Sequence, residues 1–162
     1  MAIRVRSYQP GDLPLVVDLF RRGMERGRRA WDLPPLPPEK SRREALSYMR
    51  KKLRKARGRG GFALVADLDG ARVGFVSVEI HRYRGERGKR ISSAEIQELH
   101  VRPGYRRRGV GSALMADAER ELRHRGCLSA FLFTPSNFTL AHAFYRQRRY
   151  KLRAFQFGKN LR

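Results

Sequence analysis

The segment Glu98-Leu-His-Val-Arg-Pro-Gly-Tyr-Arg-Arg-Arg-Gly-Val-Gly-Ser112 decides how the rest of the chain is read. It runs from an extended stretch through the Arg102-Pro103-Gly104 stop into an arginine cluster and two glycines, and a helical pattern starts directly behind them. Such a passage presents unpaired backbone N–H groups and the positive end of a helix dipole to an incoming anion, and the glycines permit close approach. A pyrophosphate suits it, held by Arg106, Arg107, Arg108, Gly109, Val110, Gly111 and Ser112.

Downstream, Gly109 to Arg125 carries Leu114, Ala118 and Leu122 on one helical stripe, and Gly126 stops it. Cys127 to Phe133 is nearly all apolar and is predicted as a buried central strand. Phe138 to Arg149 reads as a helix and Leu152 to Phe157 as a final alternating strand. Upstream, Ala94 to Val101 completes a meander with Phe62 to Asp67 and Arg72 to Tyr83, which flank the Asp69-Gly70 turn. Arg84 to Arg90 is a Gly-rich charged loop. The chain opens with a strand, Ile3 to Arg6. Asp12 then offers an N-cap to a helix bearing Leu13, Val16, Val17 and Phe20. The prolines of Trp31 to Pro38 exclude helix there. Ser41 to Arg57, with Leu46, Met49 and Leu53, forms a strongly basic second helix that Arg57-Gly-Arg-Gly-Gly61 ends. The order β-α-α-β-β-β-α-β-α-β predicts an α/β (α+β) sandwich: one mixed, mostly antiparallel central sheet flanked by helices, as a single domain over residues 1–162.

The composition narrows the function. At 162 residues and 18.8 kDa there is room for one ordinary domain. Lys and Arg number 37 against 15 Asp and Glu, a net charge of +22, so a nucleic acid or another acidic partner is one reading. Of those cations 30 are Arg, so compositional bias is the other. A lone cysteine, Cys127, excludes an intrachain disulfide and a cysteine zinc cluster, and points to a reducing compartment. His81, His100, His124 and His142 show no metal-ligand spacing, and no metal is expected. Gly85 to Lys89 lacks the spacing of a Walker A loop. No stretch has the length of a signal peptide's apolar region or of a membrane span, which predicts a soluble cytoplasmic protein.

The Arg106-Arg-Arg-Gly109-Val-Gly111 run resembles the acetyl-CoA loop of the GCN5-related N-acetyltransferase (GNAT) family, Gln/Arg-x-x-Gly-x-Gly/Ala. Arg108 to Ala113 matches the same pattern. The Arg106 register is selected by its surroundings: a Glu-Leu-x-Val strand end, the step from Val101 to Arg106, and the downstream Asn137, Phe144-Tyr145 and Tyr150. Two departures stand out. The family's Asn precedes its Tyr by seven residues, whereas Asn137 lies eight before Tyr145, and Arg149 occupies the family's usual Gly position. Membership would imply an acetyl-CoA-dependent N-acetyltransferase working by direct amine attack in a ternary complex. The fourth and fifth strands would splay, with Leu99, His100 and Val101 offering main chain to the pantetheine arm. Asn137 and Tyr145 would complete the cofactor contacts.

Acyl transfer from a thioester requires a neutral amine, an oxyanion donor and a proton source for the departing thiolate. The resemblance makes Tyr145 that acid and Glu95 the base, with Glu98 as the alternative. Strand alternation places Glu95 and Gln97 on one face and Glu98 and His100 on the other, so the carboxylates do not pair unless a bulge intervenes. Glu79, Glu95 and Glu98 could together make an acidic pocket within the basic whole. The acceptor stays open between a protein α-amine or lysine and a small-molecule amine. Phe144 and Cys127 are expected to be packing residues. Two other readings stand. One is a nucleic-acid-binding module using the basic helix from Arg42 to Arg59, including Lys51, Lys52, Arg54 and Lys55. The other is a silent CoA sensor of the same fold. A homodimer through the C-terminal region, where Phe155 and Phe157 lie, is compatible with either.

Overall fold

The computed structural model describes residues 2–85 and 88–154. Five strands form one sheet in the order β1 (Ile3–Ser7), β2 (Gly61–Leu68), β3 (Ala71–Arg84), β4 (Arg90–Val101), β5 (Ser129–Phe131). The first four are antiparallel neighbours, and β5 joins β4 in parallel. The β2–β3 hairpin turns on Asp69 and Gly70 with φ of 49° and 80°, the pair of left-handed residues that suits the strands' own twist.

The helices α1 (Leu13–Ala30) and α2 (Pro38–Lys55) cover one face, and α3 (Val110–His124) covers the other. Leu15, Val16, Leu19 and Phe20 of α1 meet Ala45, Met49 and Leu53 of α2 over Val65 and Phe75 of the sheet. On the opposite side Val110, Leu114, Ala118 and Leu122 of α3 pack on Val73, Val76, Val78, Ala94 and Ile96. Gly126, at φ 72°, ends α3, and the Cys127 amide donates back to the Leu122 carbonyl at 3.0 Å. The last helix, α4 (Thr139–Gln147), leans Phe144 and Tyr145 against the α3 side. No helix among the described residues is long and apolar enough to cross a membrane.

Several expectations are corrected. Pro38 belongs to α2 as its first residue, where a missing N–H costs nothing. Asp12 stands at the N-cap position of α1 without capping it. Its carboxylate instead accepts from Arg6 Nη1 and Nη2 at 2.7 and 2.9 Å and from the Gln9 amide at 2.9 Å. Cys127 to Phe133 is no buried central strand: only Ser129–Phe131 pairs, and Leu128 and Phe133 are both 74% exposed. Its apolar composition suits burial, but it pairs with β4 alone among the described residues, at the end of the sheet. Leu152 to Ala154 takes no regular structure, and the rest of the expected final strand, with Phe155 and Phe157, lies outside the described residues.

Candidate active site

The turn between β4 and α3 is anchored before it opens. Arg102 N donates to Val73 O at 2.8 Å, Tyr105 N to Arg102 O at 2.9 Å, and Arg106 N to Pro103 O at 3.2 Å. The Arg106 Nε bonds the Val101 carbonyl at 3.1 Å, tying the first arginine to the strand end. Arg107 (φ 62°) and Gly109 (φ 82°) then take left-handed conformations, and Ala113 N closes the first helical bond onto Gly109 O at 2.9 Å. Between these points the amides of Arg107, Arg108, Gly109, Val110, Gly111 and Ser112 have no acceptor among the described residues. Successive open donors at the start of a three-to-four-turn helix form an anion cradle. Cations surround it: on α1, burial and the charges of Arg106, Arg29 and Arg22 push the Arg26 guanidinium pKa down.

Beside the cradle the sheet opens. Ser93, Ala94 and Glu95 pair with Ser129, Ala130 and Phe131, and from Ile96 to Val101 β4 has only β3 as neighbour among the described residues. Leu99, His100 and Val101 lie on this stretch, which leaves main-chain groups on one edge without a strand partner.

The register changes at the same place. Val78 faces Ile96 but Ser77 faces Glu98, so Gln97 is an extra residue in β4. This overturns the expected alternation: Glu95, Gln97, Glu98 and His100 all turn toward α1 and α2. Gln97 Nε2 donates to Glu79 at 2.7 Å and reaches Glu95 at 3.4 Å, while Lys52 and Lys55 of α2 lie 3.9 and 3.6 Å from Glu79. Glu95 also lies 3.5 Å from His81 Nε2. Glu98 is held differently, by His100 Nε2 at 2.8 Å and by the Tyr48 hydroxyl, which donates at 3.3 Å. The three carboxylates do share one face, though lysines offset Glu79.

Tyr145 lies half-buried between Phe144 and Tyr150, with ring centroids at 5.2 and 5.9 Å. Burial, aided by the Glu98 charge, pushes its phenol up to about 12, so it stays protonated at neutral pH. Asn137 is exposed in the turn before α4. Arg149 takes the left-handed φ of 65° for which the family uses Gly. The exposed Trp31 ends the α1 side of the proline connector. Cys127 is half-buried, and that burial raises its thiol pKa, as suits a packed side chain. Sequence reasoning missed Tyr48 and the ring of His100, which it treated only as main chain. The i, i+2 spacing of Glu98 and His100 was a usable signal; nothing local could have placed α2 above them.

The sequence pattern of the Acetyltransferase (GNAT) family matches residues 25–149. An aminoalkylphosphonate N-acetyltransferase of Salmonella typhimurium is 43% identical over 67 residues, covering 41% of this chain and 44% of that protein, so the match spans less than half the relative. Among solved structures, a putative acetyl transferase from Pyrococcus furiosus superposes with a TM-score of 0.78, with 21% identity over 99% of this chain and 100% of its own. A transcriptional regulator from Bacillus halodurans C-125 gives 0.74 and 23% over the same shares. At such identities the two structures show a shared fold.

Proposed function

The chain belongs to the Acetyltransferase (GNAT) family, and from that premise we propose that it transfers an acetyl group from acetyl-CoA to a primary amine by direct attack in a ternary complex. The observation that carries this reading is the run of six open amides at the head of α3, set beside the unpaired edge of β4. The first suits a pyrophosphate, and the second suits an extended amide-bearing arm that adds as a strand would. In the reaction the amine nitrogen bonds the acetyl carbon and the C–S bond breaks. Glu98, or Glu95 through water, takes the amine's proton, and Tyr145 O–H gives its proton to the thiolate. The products are an N-acetyl amide and CoA thiol.

The acceptor that fits best is a small amine. The Salmonella relative, by its name, takes an amine joined to a phosphonate, and an acceptor of that kind suits a face holding both carboxylates and the lysines of α2. Asn137, exposed and offset by one residue from the family's spacing, is proposed as a cofactor contact at the arm.

Calorimetric titration with acetyl-CoA tests the site. Gly111→Glu is the cleanest variant, because a Cβ there meets Phe144 only at 3.6 Å, ordinary contact, whereas Gly109 needs its left-handed φ. Binding by wild type and its loss in Gly111→Glu is expected, followed by CoA-thiol release with one or more aminoalkyl acids. A folded wild type that ignores acetyl-CoA would sink the proposal.

A further inference from the structure

The His100 ring has more contacts than a surface strand residue would. It stacks on Phe75 at 5.3 Å and meets Phe20 edge-on at 6.2 Å. From α1 the backbone of Gly23 closes on it so tightly that a Cβ would stand 2.2 Å from Cε1. The imidazole is thus confined on three sides, with its side chain 13% exposed, and its Nε2 lies 2.8 Å from a Glu98 oxygen that is itself in a 14% exposed side chain. The other Glu98 oxygen accepts from Tyr48, whose own ring is stacked on Phe20 at 4.6 Å. A carboxylate on a strand ordinarily swings through several rotamers; this one is held on one oxygen by a ring packed on three sides and on the other by a tyrosine stacked on Phe20.

We infer that His100, with Tyr48, is a positioning residue that fixes the Glu98 carboxylate as the proton acceptor for the incoming amine. This rests on the acetyl-transfer reading. It deepens that reading by choosing between the two carboxylates: Glu95 has only a 3.4 Å and a 3.5 Å neighbour, whereas Glu98 is met at 2.8 Å by His100 and reached on its other oxygen by Tyr48. The packed elements bring the following titratable or charged groups toward Glu98: His100 and Glu95 from β4, Glu79 from β3, Tyr48 and Lys52 from α2, and Tyr145 from α4. Ser77 of β3, opposite Glu98 in register, is buried with an Oγ that has no hydrogen-bond partner among the described residues.

The carboxylate keeps its place through the donors on its two oxygens, so removing His100 frees Glu98 to swing away from the incoming amine. The experiment compares wild type, His100→Phe, His100→Gln, which keeps an N–H donor, and Tyr48→Phe. It reads kcat and KM with a turned-over amine, acetyl-CoA Kd, and the His100 ring resonances by NMR with and without Glu98→Gln. In His100→Phe, kcat should fall roughly 10- to 100-fold with Kd unchanged, the scale set by a misplaced catalytic group. His100→Gln should recover most of the lost kcat, and Tyr48→Phe should lose less than His100→Phe. Equal losses in His100→Phe and His100→Gln would reduce His100 to core packing and overturn the inference, as would His100 ring resonances indifferent to Glu98→Gln. If His100→Phe does not fold, the Gln and Tyr48 variants and the NMR comparison still decide. Wild type without turnover on any amine would end the acetyl-transfer reading and this one together, whereas wild-type turnover with equal losses in His100→Phe and His100→Gln ends only this one.

Discussion

Arg149 holds a conformation in which an L side chain crowds its own backbone, at a cost of about 1–2 kcal/mol. It is kept there by the end of α4, where Arg149 N donates to Arg146 O at 2.9 Å and Tyr150 N to Tyr145 O at 3.0 Å. The departure from the family pattern is visible in the sequence, and the structure places Arg149 in the left-handed conformation that suits a glycine. Arg149→Gly should therefore stabilise the protein by about 0.5–1 kcal/mol, the relieved strain less glycine's added chain entropy, read as a raised denaturation midpoint. Asp12 carries the opposite kind of term. Bonds from Arg6, then from the Gln9 amide, outweigh its burial and hold the carboxyl at about 2. The folded state thus releases this proton more readily than the unfolded chain, whose Asp titrates near ~3.9. Its contribution, on the order of 2 kcal/mol, is present above pH ~4 and is lost as pH falls toward 2. Urea midpoints measured from pH 6 to 2 should show a steeper acid decline in wild type than in Asp12→Asn. For Tyr145, the phenol stays protonated through neutral pH, so Tyr145→Phe should lose kcat while acetyl-CoA Kd stays within about twofold; a large rise in Kd with normal kcat would make it a binding residue.

Helix α1 offers a pair of glycines that separates propensity from packing. Replacing a helical Gly by Ala gains about 0.8–1 kcal/mol in propensity. Gly27 has no heavy atom within 4 Å of a built Cβ, so Gly27→Ala should realise most of that gain. At Gly23 the same methyl would lie 2.2 Å from the His100 ring, and overpacking of about 1–3 kcal/mol exceeds the propensity gain. Gly23→Ala should be destabilised and should also perturb the His100–Glu98 bond, whereas equal stabilisation of both variants would contradict the packing described. Elements of this kind were legible by periodicity: the stripes of α1, α2 and α3 and the Asp69-Gly70 hairpin all read directly. What failed to read was set by partners distant in sequence. An apolar run such as Cys127 to Phe133 gives the same signal whether it ends up in the middle of a sheet or at its end, and the extra residue at Gln97 exists only relative to β3.

Across the whole molecule the +22 charge and the local acid of β3 and β4 act over different ranges. The net charge draws an anionic substrate in through solvent and is screened within about 10 Å at 0.1 M salt. Acetyl-CoA association should slow as salt rises while its dissociation changes little, measurable by stopped flow. A nucleic-acid module would instead lose affinity along a steep log–log salt line and be indifferent to Gly111→Glu. The shallow depression lined by Arg59, Arg82, His124 and Arg125 around Glu121 lies away from the cradle and is where such binding would be sought. The site itself was partly legible: the cradle from Arg106 to Ser112 and the strand end at Val101 are local, whereas the company kept by Glu98 is not. One miscount in β4 has the widest reach. A strand keeps parity, odd residues one way and even the other, and Gln97 spends one residue to break it. Leu99 and Val101 stay with the α3 core only because Glu98 and His100 fall on the other side. Deleting Gln97 would close the bulge into a regular strand with Glu98 and His100 still facing α1 and α2, whereas deleting two residues between Glu95 and Leu99 would turn the strand end inside out, exchanging core for chemistry. The parity of this strand is therefore as constrained as any side chain it carries.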